Sequence, residues 1–119
     1  MTRTISRSTT EAGRLAEDRA LDYLLRQGLV LIERNARSRR GEIDLVIRDG
    51  ATLVFVEVRQ RRSMRFGGAA ASIGATKRLR MWHSAESYLL RHPNPPACRF
   101  DAVCIDGDSL VWLRHILSA

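Results

Sequence analysis

A chain of 119 residues, 45% of them hydrophobic, has enough apolar material for one closed core and is short for two. Its 20 Lys and Arg against 13 Asp and Glu give a formal charge of +7, which points to a polyanionic partner unless the basic surface merely keeps the protein soluble. No window approaches the 18 or so apolar residues of a membrane span, and the polar start Met1-Thr2-Arg3-Thr4-Ile5-Ser6-Arg7 lacks the apolar stretch of a secretion signal, so a cytoplasmic protein with no membrane partner is expected.

Residues 1–7 read as a loose basic tail, after which Ser8-Thr9-Thr10-Glu11 has the form of a capping box. The helix it opens runs to about Gln27 and stops at Gly28, with Ala12, Leu15, Ala16, Ala20, Tyr23 and Leu24 as an apolar stripe. Leu29 to Ile32 is the expected first strand, followed by solvent-facing Arg34, Arg37, Arg39 and Arg40. Glu42 to Ile47 and Thr52 to Val58 read as strands, and Asp49-Gly50 between them signals a hairpin. A glycine-containing basic connection, Arg59 to Gly74, carries Phe66-Gly67-Gly68 near its middle and could move over a site. Leu79, Trp82, Ala85, Tyr88 and Leu89 mark a second helix from Thr76 to Arg91, ended by the proline run that follows His92. Strands Cys98 to Ile105 and Leu110 to Leu113 follow, with a short helical tail. Cys98 and Cys104 then lie roughly 20 Å apart on one strand and cannot bridge. His83, His92 and His115 are scattered, and no Cys/His spacing fits zinc. The whole chain, 1–119, reads as a single domain.

The hairpin brings acids together. With Asp49 and Gly50 as the two loop residues, Asp44 faces Phe55 and Glu42 faces Glu57, so Asp44 and Glu57 become diagonal neighbours on one face, at roughly 7 to 8 Å between backbones. Arg59 follows on that face, while Ile43, Leu45, Ile47, Val54, Val56 and Val58 make the other face apolar. Paired acids need counter-charge. Either Mg²⁺ or Mn²⁺, hard ions suited to oxygen ligands, supplies it, or the arginines do. Glu17, whose helical neighbours include Gly13, Ala20 and Leu21, leans inward as a third carboxylate.

The ordered set Glu17, Gly41-Glu42-Ile43-Asp44-Leu45, Phe55-Val56-Glu57-Val58-Arg59, Phe66-Gly67-Gly68, Lys77 and Arg99-Phe100-Asp101 resembles the YraN-like family of uncharacterised bacterial proteins, over roughly residues 13–117. That family is similar in pattern to the restriction-endonuclease-like superfamily and to archaeal Holliday-junction resolvases. The resemblance implies an α/β fold, a mixed β-sheet flanked by helices, with Glu17, Asp44 and Glu57 as metal-binding acids. The superfamily pattern has Glu-x-Lys where this chain has Glu57-Val58-Arg59. Arginine stays protonated and can position water or stabilise charge but cannot act as a base. Lys77 could stand in from the second helix, or simply contact phosphate. Asp101 is expected to support the sheet, and Trp82 and Tyr88 to belong to the core.

The leading expectation is a nucleic-acid-binding phosphodiesterase dependent on Mg²⁺ or Mn²⁺, endonuclease-like and acting on structured or branched DNA. Its catalytic set is Glu17, Asp44, Glu57 and Arg59, within a phosphate-binding surface of Arg39, Arg40, Arg61, Arg62, Lys77 and Arg78. The alternatives are a DNA-binding module of nuclease fold without turnover, for which Arg59 is the discriminating residue, and a protein-interaction domain in which the acids are structural. A homodimer is the assembly carried alongside.

Overall fold

The computed structural model describes residues 10–61 and 73–117. Helix α1 (Glu11–Arg26) is followed by strands β1 (Val30–Ser38), β2 (Gly41–Asp49) and β3 (Thr52–Arg61). Helix α2 (Ala75–Leu89) and strands β4 (Cys98–Asp106) and β5 (Ser109–Leu113) complete the order. The tail, Ser8, Arg62 and Phe66-Gly67-Gly68 lie outside the described residues.

The cap of α1 is Thr10, not Ser8: its hydroxyl accepts the Gly13 N–H at 3.0 Å while its own backbone is extended, satisfying one of the donors a helix start leaves open. At the other end Gly28 has φ 94°, and the Leu29 N–H returns to the Leu24 carbonyl at 3.2 Å, a glycine-terminated stop. The buried face is Ala16, Glu17, Ala20 and Leu24. Leu15 is 57% exposed and Glu17 buried, so the stripe is displaced from that leucine toward the glutamate that was expected to lean inward.

The five strands lie in sequence order, antiparallel except for β3 and β4, which run parallel. A parallel pair cannot be closed by a tight turn, and α2 lies in the connection. Side chains alternate between two cores. On one face Leu45, Ile47, Val54, Val56, Val103 and Ile105 pack under Ala16, Ala20 and Leu24 of α1. On the other, Val46, Leu53, Phe55 and Phe100 pack against Met81, Ala85 and Tyr88 of α2. The result is a mixed α/β fold, a five-stranded mixed sheet with a helix on each face.

Four expectations change. First, β1 extends to Ser38, taking in Arg34 and Arg37, because pairing with β2 outweighs the polarity of that stretch. Second, Asp49 pairs with Thr52, which makes Gly50 and Ala51 the hairpin loop and sets Val46, not Asp44, opposite Phe55; Gly50, at φ 60°, takes the left-handed position. Third, α2 ends at Leu89 and buries Met81 and Ser84, while Leu79 is 56% exposed. Fourth, residues 114–117 are not helical; the Ile116 N–H instead donates to the Phe100 carbonyl at 2.8 Å, drawing the chain back over β4. Both cysteines are free, Cys98 exposed and Cys104 buried. No described helix is long and apolar enough to cross a membrane.

Candidate functional site

The sheet forks at its centre. Pairing of β2 with β3 ends at Leu45–Val56, yet β2 continues alongside β1 to Gly41 and β3 continues alongside β4 to Arg61. Asp44, 1% exposed, fills the opening: its Oδ2 accepts the Val58 N–H at 2.8 Å. A carboxylate thus replaces the backbone acceptor that a continuous ladder would have supplied, and the buried donor stays satisfied.

The other side of β2 is interrupted at the same rung. Arg34 pairs with Leu45 and Ala36 with Ile43, but Asn35 and Asp44 between them are not a ladder pair. Asn35 has φ 49°, a conformation that asparagine tolerates better than most residues. Its effect on β2 is visible in the packing. Leu45 lies in the α1 core whereas Ile43 lies in the α2 core, although residues two apart on a regular strand share a face.

Glu17 and Asp44 line a cleft of about 160 Å³ together with Gly13, Ala16, Val58, Arg59, Gln60 and Arg61. Glu17 is 3% exposed. Its Oε1 and Oε2 accept from Asn35 Nδ2 at 3.1 and 3.3 Å, and Oε1 also from Arg34 at 3.4 Å. Arg34 donates in addition to Asp18 Oδ1 at 2.8 Å, so it is not the solvent-facing arginine expected. Neither contact was anticipated; the one available signal was an asparagine, a poor strand former, within a stretch that proves to be strand.

Glu57 follows Phe55 onto the α2 side. Its Oε2 stands 3.0 Å from Lys77 Nζ, in the first turn of α2, and 3.5 Å from Arg59. The expected cross-strand pairing does not reach Asp44 and Glu57, because the β2–β3 ladder ends at Leu45–Val56; Asp44 lines the cleft with Glu17, and Arg59, which also lines it, connects that cleft to Glu57. The fork itself separates the strands at this level, so no continuous sheet stands between the two carboxylates. Among the described residues no three His, Cys, Asp or Glu side chains stand together as a ready-made metal-binding group. The donor chemistry, three carboxylates from three elements, suits a hard divalent cation, while cationic side chains hold Glu17 and Glu57 in this arrangement.

The basic residues divide into groups. Arg61 lines the cleft, and Lys77 is committed to Glu57. Arg39 and Arg40 are exposed on the β1–β2 turn, which is fastened to α2: Ser38 Oγ donates to the Ser84 carbonyl at 3.4 Å, and Ser84 Oγ to the Arg40 carbonyl at 3.5 Å. Arg78 is exposed and donates to the Ile116 and Ile73 carbonyls at 2.6 and 3.4 Å, contacts that hold the side chain against the segment after β5 and leave its charge in place.

Asp101, fully buried, accepts from Arg99, from Trp112 Nε1 at 2.9 Å and from the His115 N–H at 3.1 Å. Hydrogen bonding to Asp101 raises the Arg99 pKa. These contacts join β4, β5 and the following segment, a supporting role. Tyr88 is buried edge-on to Phe55, and Trp82 stacks on Phe100 with ring centroids 5.7 Å apart.

A model of the uncharacterised protein family UPF0102 matches residues 16–105. Similar proteins include a UPF0102 protein of Dechloromonas aromatica (strain RCB), 57% identical over 94% of this chain and 92% of the relative. Another, from Janthinobacterium sp. (strain Marseille), is 52% identical over 91% and 88% respectively. A third, from Acidovorax sp. (strain JS42), is 52% identical over 96% and 89%.

Proposed function

Starting from the fact that the chain belongs to the uncharacterised protein family UPF0102, we propose that it is a nucleic-acid-binding protein of restriction-endonuclease-like fold that hydrolyses phosphodiesters with Mg²⁺ or Mn²⁺, on structured or branched DNA. The observation that carries the proposal is the burial of Glu17 and Asp44 in one cleft, from α1 and β2, with Glu57 of β3 buried beside Arg59, which lines that cleft. Burying three acids at an interior fork is costly for stability alone, and hydrophobic residues would pack the same positions more cheaply.

In this reading Glu17, Asp44 and Glu57 would hold the cation, which supplies Lewis-acid charge stabilisation and an activated water. The chain's own contribution is positional. Asp44 is oriented by the Val58 N–H, Glu17 by Asn35, and Glu57 by Lys77 and Arg59. Arg59 would stabilise negative charge on the phosphate, a role of a guanidinium and not of a base. Arg61 at the cleft and Arg39 and Arg40 on the β1–β2 turn would hold phosphates of the bound strand.

The test is cleavage of duplex, single-stranded and four-way DNA with Mg²⁺ and with Mn²⁺, beside Asp44→Asn. That substitution keeps an acceptor for the Val58 N–H and removes the charge. Metal-dependent cleavage by the wild type, lost in a folded Asp44→Asn, is the expected result. A second reading, a DNA-binding module without turnover, is favoured by one observation: Glu57 is already neutralised by Lys77 and Arg59. DNA binding with no cleavage under either metal would select it.

A further inference from the structure

We infer that Asn35 is a positioning residue for Glu17, an inference that rests on the cation-binding reading above. On a regular strand successive side chains face opposite sides of the sheet. Here two successive residues of β1, Arg34 and Asn35, both reach carboxylates of α1: Arg34 to Asp18 and Glu17, Asn35 to both oxygens of Glu17. The left-handed backbone of Asn35, φ 49°, turns the second side chain to the same side as the first. The same rung is where Asp44 leaves the β1–β2 ladder, so one local distortion prepares two acids.

The chemistry of the contact separates Asn35 from a simple structural filler. One amide nitrogen lies 3.1 Å from Oε1 and 3.3 Å from Oε2, between the two oxygens, where a chelated ion would otherwise sit. Glu17 would then offer a cation an oriented oxygen and not a chelating pair. The amide is neutral and orients the carboxylate without cancelling its charge, whereas a second guanidinium beside Arg34 would. Asparagine is also the side chain that combines this donor with tolerance of the left-handed conformation.

Glycine adopts that conformation freely and lacks the amide, so Asn35→Gly separates the two roles of the residue. Alanine lacks both. Mn²⁺ binding, followed by electron paramagnetic resonance, should be at least about tenfold weaker in Asn35→Gly than in the wild type, as for other residues that orient a metal ligand. The thermal melt of Asn35→Gly should stay close to that of the wild type. Asn35→Ala should weaken Mn²⁺ binding and melt earlier as well. Equal affinity in the wild type and Asn35→Gly would overturn the inference while leaving the cation reading intact. So would an Asn35→Gly protein that melts as early as Asn35→Ala, since the loss would then belong to the fold. A wild type that binds no Mn²⁺ would overturn both, and that result separates the two claims.

Discussion

Arg59 is the side chain on which the proposed chemistry turns. It lies 3.5 Å from Glu57 and lines the cleft that holds Glu17 and Asp44, so its charge is placed beside the acids. As a fixed cation, it should matter more to turnover than to association. Arg59→Ala is expected to lower the cleavage rate about tenfold to a hundredfold, the scale of a few kcal/mol of charge stabilisation, with a smaller loss of DNA affinity. Arg59→Lys should retain or raise cleavage, because it keeps the charge and adds a group that can exchange a proton. Single-turnover rates beside equilibrium binding would decide it; an unchanged rate in Arg59→Ala would reduce the catalytic set to the three carboxylates.

Between elements, the contact that orients the basic turn is the seat of β1–β2 on α2. Gly41 has φ 147°, and a Cβ there would overlap Ser84 Oγ, while Ser84 and Ser38 hold the turn through backbone carbonyls. Glycine is required twice over, for its backbone angle and for its lack of bulk. Gly41→Ala should therefore destabilise the protein by about 1 to 3 kcal/mol, the usual cost of overpacking. Adding Ser84→Ala should return part of that loss by removing the hydroxyl, leaving the backbone strain. Chemical denaturation of the single and double variants measures both terms, and a double variant no more stable than Gly41→Ala would mean that the overlap is not what costs.

Across the whole molecule, an excess of seven positive charges becomes informative only when the cations are sorted by what they already hold. Lys77 is paired with Glu57 and Arg78 is held by backbone carbonyls, whereas Arg39 and Arg40 are exposed on the β1–β2 turn. For duplex DNA the logarithm of affinity should fall with the logarithm of salt at a slope of about −0.9 per phosphate neutralised. Replacing Arg39 and Arg40 together by alanine should flatten that slope by about 1 to 2 units without shifting the melt. Arg78→Ala should act the other way, lowering the melting temperature through loss of its bonds to Ile73 and Ile116 while the slope changes little. A salt-insensitive affinity in the wild type would contradict the phosphate-binding surface.

Amphipathic periodicity, the Gly28 stop and the Asp49-Gly50 turn signal were enough to locate the two helices and five strands of the described residues, because these depend on local spacing and on backbone angles that few residues accept. The same motifs, GEIDL and FVEVR in order, led to the family. Local spacing could not supply the rest. The shift of the hairpin loop to Gly50 and Ala51, the extension of β1 through its arginines and the displacement of the α1 stripe from Leu15 each depend on which partner strand or helix face competes best for the same residues. The fork is the clearest case: a strand pattern carries no record of where pairing stops, and Asn35 and Asp44 acquire their roles only when β1, β2 and β3 meet. The sequence determined that acids and cations would be close together; the tertiary structure decided that they gather where β2 and β3 stop pairing, since register and strand separation are set by long-range packing.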